Sequence, residues 1–332
     1  MRILHLGDTH LGIQRRFWRP PVGWSRADDH LAALRRALAP AFAGEVDLVV
    51  HAGDVFDRSR PPPRAVAEAR ALLVDLSRRV PVLVLAGNHD RRGLQVHLGA
   101  GAGTLTVVDR PCAVSIAGLR IACVPHQRLA TDWAATARAA VGGGVDLMVT
   151  HQAFAGAEVP GFVFRVGGPS ETVDERHLPD GVLAVLNGHI HPRQVLRCGD
   201  ADVVYPGSTE RTSFSESGQQ KGTALWTWGT RPRWRWVDHP TRGMRRVVGE
   251  HELDRVVPGE LVGVPTPRLK DWGPAVHARG GILALPPARS RAPDRRQLRL
   301  FQGPPSGAVV HGGSGAWVSE TPSLPSAAGT PC

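Results

Sequence analysis

Near-continuous apolar runs of strand length recur through the first 195 residues, at 3–6, 46–50, 82–86, 145–149 and 182–186. Between several of them lie stretches with helical spacing. DDHLAALRRALAPAF, residues 28–42, places Leu31, Leu34, Leu38 and Phe42 on one apolar stripe. It opens on Asp28 and Asp29, which suit a helix cap and the positive end of the helix dipole. Residues 64–79, entered through Pro61, Pro62 and Pro63, read as a second helix, and 131–141 as a third. Strands alternating with helices predict an α/β architecture with helices covering the sheet.

From about residue 201 the pattern changes. DVVYPGS reads as a strand and turn. GTALWTW, GTRP and RWRWV read as an antiparallel hairpin, with Arg231, Arg233 and Arg235 alternating with Pro232, Trp234 and Trp236. Such alternation tempts a nucleic-acid stacking reading. Period-2 burial explains it more simply, with Trp facing the core and Arg facing water. A short helix over 250–257 and a strand over 281–285 are expected next. Beyond residue 285 the chain is Pro, Gly, Ser, Ala and Arg without periodicity, the composition of disorder. The expected organisation is therefore a main domain over 1–240, a short, vestigial capping region over 241–285, and a largely disordered tail over 286–332.

Composition changes this picture little. At 42% hydrophobic, the 332 residues support a sizeable core. No run of eighteen apolar residues suggests a membrane helix. The opening MRILHLGDTHLG does not resemble a signal peptide, so a cytoplasmic protein without membrane contact is expected. Four scattered cysteines with no CxxC argue against a zinc ribbon or redox pair. The formal charge of +10 favours an anionic partner such as nucleic acid. Only two lysines contribute, however, and the Arg, Ala, Gly and Pro bias also fits a base-composition effect.

The chemistry lies at the strand ends. Asp8 and His10 follow the first run, and Asp54 and Asp57 the second. Asn88, His89 and Asp90 follow the third, His151 the fourth, and His189 and His191 the fifth. Ligands bind outside the carboxyl ends of strands in open α/β sheets, so groups distant in sequence converge there. Asp8-x-His10 and His189-x-His191 have the period that puts both side chains on one side of extended backbone. Each motif alone reads as a turn or a solvated strand. Five together would cluster polar groups at a cost only a counter-charge offsets. Carboxylate, amide carbonyl and imidazole are good ligands for divalent transition ions, and a dinuclear metal centre is expected.

In this order, D-x-H, GD-xx-D, GNHD, a lone His after a strand and GH-x-H resemble the calcineurin-like metallophosphoesterases over about residues 1–215. DTHLG, GDVFDRSRPPP, GNHDR, LPDGVLAVLNGHIHP and VVYPGSTERTSF are similar to one branch. This branch is the nuclease component of DNA double-strand-break repair, SbcD type in bacteria and meiotic-recombination-eleven type elsewhere. The resemblance implies a β-sandwich of mixed sheets flanked by helices, with a short C-terminal extension here. It implies one ion on Asp8, His10, Asp54 and His191, and another on Asp54, Asn88, His151 and His189, with Mn²⁺ favoured for both. His89 would stand over the scissile phosphate and Asp90 would orient it.

The same resemblance implies 3′→5′ exonuclease activity, with endonuclease activity also open. It further implies a coiled-coil SbcC-type ATPase partner and a homodimer. The short region after 240 leaves open a phosphoesterase on small molecules or phosphoproteins. A non-enzymatic DNA-end scaffold is a third reading, disfavoured by the presence of His89. Asp57 is expected to support the site or cap a helix. His5, His51 and His126 read as structural, and Arg211 as a phosphate contact or a surface ion pair.

Overall fold

A computed structural model describes residues 1–90, 93–99, 103–159, 170–230 and 232–286. The tail expected to be disordered lies, from residue 287, outside the described residues. In chain order the first elements are β1 (Arg2–Leu6), β2 (Phe17–Trp18), α1 (Arg26–Phe42), β3 (Leu48–His51), α2 (Pro63–Ser77), β4 (Val82–Leu85), α3 (Leu94–Leu98) and β5 (Leu105–Val108). Next come β6 (Cys112–Ile116), β7 (Leu119–Val124), α4 (Ala130–Val141), β8 (Leu147–His151), β9 (Ala184–Gly188), β10 (Gln194–Cys198) and β11 (Ala201–Tyr205). The last are β12 (Lys221–Thr227), β13 (Arg233–His239), β14 (Met244–Arg246), β15 (Leu261–Gly263), α5 (Leu269–Ala278) and β16 (Ile282–Ala284).

Two six-stranded mixed sheets form a sandwich, in the orders β13-β12-β1-β3-β4-β5 and β10-β11-β9-β8-β7-β6. In each sheet the central strands are parallel and the antiparallel pairs lie towards the edges. The central strands are buried on both faces, which is why they read as continuous apolar runs. Ile3, Leu48, Val50, Leu83 and Leu85 of one sheet share a core with Ile121, Cys123, Val149, Leu186 and Val204 of the other. The helical stripe of Leu31, Leu34 and Leu38, with Leu73 and Leu76 of α2, covers the outer face of the first sheet. Trp133, Ala134 and Ala137 of α4 cover that of the second. The expected α/β sandwich flanked by helices is thus the observed one.

Residues 241–285 fold further than the sequence suggested. β14, β15 and β16 are joined by β2, borrowed from the loop after β1, into a small four-stranded sheet. α5 packs on it through Trp272 and Val276. Gly273 and Pro274 hid this helix in the sequence, because they are the strongest helix breakers; packing of its apolar stripe overrides them. The module is fastened to α1. Arg242 donates twice to the Asp29 carboxylate, at 2.8 Å each, and once to the Gly259 carbonyl at 2.9 Å. The buried Arg26 joins Asp29 to Glu210.

Candidate metal centre

The parallel strands β1, β3 and β4 of one sheet, and β8 and β9 of the other, end at the same place. All seven expected ligands meet there, together with His89. Asp8, His10, Asp54 and His151 are buried, and Asn88 and His191 are partly so. Asp54 is central. Its Oδ2 lies 3.3 Å from His151 Nε2, 3.8 Å from His10 Nε2 and 3.9 Å from His89 Nε2. Ligand atoms of Asp8, His10 and His191, and of Asp8, Asp54 and His151, lie within 4.8 Å of one another.

The backbone is bent to make this convergence. Asp8, His10, Asp54 and His189 all have positive φ, at 51°, 45°, 54° and 87°. Such conformations are uncommon for residues with a Cβ, and persist only where surrounding structure enforces them. Gly87 and Gly188 make room for the approach. A Cβ on Gly87 would overlap the Asp54 carboxylate and amide, and one on Gly188 would overlap the Ala52 carbonyl.

Hydrogen bonds fix which atoms face inward. His151 donates from Nδ1 to the Ala52 carbonyl at 2.7 Å, which turns its Nε2 into the cluster. That nitrogen faces Asn88 Oδ1 at 3.0 Å. The same Asn88 oxygen lies 2.9 Å from His189 Nδ1. His191 donates from Nδ1 to Glu216 Oε1 at 3.0 Å, which turns its Nε2 to within 3.1 Å of His10 Nε2. Lone pairs facing lone pairs repel unless a proton or cation lies between them. Nitrogen, amide oxygen and carboxylate donors around such gaps suit divalent transition ions, so the residues present fit a dinuclear centre.

Electrostatics in the protein alone agree. Burial pushes the His151 ring towards neutrality, yet Asp54 and Asp8 outweigh it and raise its pKa to about 9. Burial raises the Asp54 carboxyl, but His151, His89 and His10 hold it well below the ordinary range. Burial keeps Asp8 above its usual value despite His151 and His191. A negative cluster this deep needs positive charge beside it, supplied by protons here and by metal ions when bound.

Asp90 corrects one expectation. Its carboxylate does not orient His89. It accepts three main-chain N–H bonds, from Val55 at 3.0 Å, Phe56 at 2.9 Å and Gly87 at 3.1 Å. It thereby ties the Asp54 loop to the Asn88 loop. Burial and the Asp54 charge raise its pKa to about 6, against the pull of those three donors. His89 is instead held by the Asp57 main chain, Nδ1 to carbonyl at 2.7 Å. Asp57 caps no helix among the described residues; its side chain lies 3.9 Å from His10 Nδ1.

Arg211 makes no ion pair among the described residues. Its guanidinium donates to the carbonyls of Glu216, Gln219 and Arg242. His5 and His51 are buried, as the structural reading required. Burial is the main cause that lowers each pKa to about 3.

Sequence reasoning passed over Glu216 and Lys221. The Lys221 ammonium is buried and donates to Glu216 Oε2 at 2.6 Å, Ser208 Oγ at 2.8 Å and Gln219 Oε1 at 2.9 Å. Burial would raise the Glu216 carboxyl, but His191 and Lys221 hold it well below normal. As a carboxylate behind an expected ligand histidine, Glu216 fixes the ring's tautomer. The signal the sequence offered was only a scarce residue type, one of two lysines in the chain, five positions after a glutamate. Glu216→Gln should weaken manganese binding about 10–100-fold, read by calorimetric titration. It should also lower the melting temperature, since Lys221 loses its counter-charge.

A β-sandwich of two mixed sheets whose parallel strands end in these N/O ligands defines a class. The calcineurin-like phosphoesterase family model matches residues 1–193, and the chain belongs to that family. Within it, the chain is 32% identical over 220 residues to the DNA double-strand break repair protein Mre11 of Haloferax volcanii, covering 65% of this chain and 47% of the relative. It is 30% identical over 227 residues to the protein of the same name from Methanosarcina mazei, covering 65% and 34%. It is 30% identical over 274 residues to the SbcD component of the SbcCD nuclease of Rhodobacter capsulatus, covering 68% and 66%. The chain spans about half or less of the length of these two archaeal relatives.

Proposed function

We propose that the protein is a two-metal-dependent DNA nuclease that hydrolyses phosphodiester bonds in DNA repair, with 3′→5′ exonuclease and also endonuclease activity open to it. The observation that carries this reading is the ring of inward-facing acceptor atoms around Asp54, with His89 Nε2 beside it. The Mre11 and SbcD relatives support DNA as the substrate. Asp8, His10, Asp54 and His191 would hold one ion, and Asp54, Asn88, His151 and His189 the other, with Mn²⁺ the preferred metal. Bound there, such ions would supply Lewis-acid chemistry towards an anionic phosphodiester.

The chain's own groups do the rest. Asp54 joins the two halves of the centre, and its Oδ1 accepts the His89 main-chain N–H at 2.8 Å. That bond and the Asp57 carbonyl fix the His89 ring with Nε2 towards the cluster. With Nε2 towards the cluster, His89 would stabilise the charge developing on the phosphate oxygens or donate its Nε2 proton to the leaving sugar oxygen. Asp90 holds the two loops that carry Asp54 and His89 in register, and so serves catalysis by positioning. The 241–285 module is assigned as a small DNA-capping domain. An SbcC-type coiled-coil ATPase, a homodimer and a cytoplasmic location complete the proposal. Among the described residues no helix is long and apolar enough to cross a membrane.

The test is product release from end-labelled duplex and single-stranded DNA, with manganese and with chelator. Manganese-dependent cleavage is expected. Hydrolysis of small phosphate mono- or diesters with DNA left intact would replace the nuclease reading with a small-molecule phosphoesterase.

A further inference from the structure

A sixth strand also ends at the metal centre. β7 pairs with β8 up to Val124 and Thr150, and two residues later the chain places His126 beside the cluster. The His126 ring lies 5.4 Å from that of His189 and 6.3 Å from that of His151, centroid to centroid. His89 stands against a different ligand, 4.9 Å from the His10 ring. Two imidazoles therefore bracket the cluster, each beside different ligands.

The position of His126 is built, not incidental. The next residue, Gln127, donates its main-chain N–H to Gln152 Oε1 at 3.2 Å. Gln152 in turn donates its N–H to Asn187 Oδ1 at 3.0 Å and accepts from Asn187 Nδ2 at 2.9 Å. The loop is thus clamped to the residue after His151 and to one two places before His189. Yet the half-buried His126 ring makes no hydrogen bond among the described residues, and it belongs to none of the three-residue groups of converging ligand atoms. An unpartnered polar group beside a charged cluster calls for a partner, and packing alone would be served by an apolar ring.

We infer that His126 contacts the substrate, donating its ring N–H to a non-esterified oxygen of the phosphate held at the metal centre. The inference rests on the phosphoesterase reading above. A neutral imidazole retains one N–H for this purpose, and phosphate oxygens are strong acceptors. Loss of such a charge-assisted bond weakens binding about tenfold or more.

The experiment compares full-length wild type, His126→Phe and His126→Gln. Phenylalanine keeps an aromatic ring for packing and removes the donor; glutamine restores an N–H. Each is titrated calorimetrically with manganese, then, manganese-loaded, with inorganic phosphate, and melting temperatures are recorded. In His126→Phe, manganese affinity and melting temperature are expected to stay at wild-type values while phosphate affinity falls about tenfold or more. KM for bis-p-nitrophenyl phosphate should rise in parallel with a smaller change in kcat, and His126→Gln should recover part of both. His126→Ala supplies the same comparison should the larger ring prevent folding.

Equal phosphate affinity in wild type and His126→Phe overturns the inference. So does a tenfold fall in manganese affinity, which would make His126 a ligand. Phosphate binding is read without turnover. A wild type that binds manganese and phosphate but leaves DNA uncut would sink the nuclease proposal and leave the His126 comparison intact.

Discussion

Asp54→Asn should remove manganese-dependent hydrolysis and lower manganese affinity in both halves of the centre. Asp54 Oδ2 is the atom within 4 Å of His10, His89 and His151 Nε2 alike. Asp8 also converges with members of both expected sets, but it is Asp54 Oδ2 that lies against three imidazole nitrogens. The neutral amide also removes the negative charge that raises the His151 pKa to about 9. His151 should then lose its proton at lower pH than in the metal-free wild type, which NMR titration of the ring would register. Loss of a partner behind a ligand already weakens binding about 10–100-fold. Loss of the shared ligand should exceed that, with calorimetry showing fewer than two tight sites. Two ions bound at wild-type affinity by the variant would refute the bridging role.

His89→Ala should separate chemistry from metal binding. The His89 ring is anchored outside the ligand sets by the Asp57 carbonyl, and only its Nε2 approaches the cluster. Removing a general acid lowers turnover about 10²–10⁴-fold. Manganese stoichiometry and affinity should hold near wild type, because the His89 ring belongs to neither expected ligand set and is anchored away from it by the Asp57 carbonyl. Single-turnover cleavage of end-labelled DNA, beside a manganese titration, checks both halves. A variant that cleaves at the wild-type rate would strip His89 of its role. One that loses manganese would make it a ligand.

The contrast between these two residues follows from where each carboxylate and imidazole is anchored. Asp54 sits at positive φ with its carboxylate seated against Gly87, where a Cβ would overlap it. His89 sits at the rim with an exposed face. Asp90, beside it in sequence, points the other way into the backbone. Under the proposed mechanism, adjacent residues in GNHD would thus divide into ligand, acid–base group and loop anchor. Substitutions in that motif should give three distinguishable phenotypes.

The sequence by itself determined the central strands, the main helices and the strand-end positions of the expected ligands, which the fold brings together. Burial on both faces leaves continuous apolar runs, and polar residues placed straight after such runs have no reason to recur five times except convergence. It could not determine what the side chains of Asp90, Arg211 and His126 touch, because hydrogen-bond partners are chosen across long stretches of chain that no local pattern encodes. Asp90 reaches back to Val55 and Phe56, Arg211 on to Arg242, and His126 rests on His151 and His189. The same holds for the Glu216–Lys221 pair behind His191, whose meaning lies in its burial, and for β2 and α5, whose local sequences are too short or too broken to specify an element. These were settled only when tertiary packing supplied a partner strand, an apolar floor or a buried counter-charge.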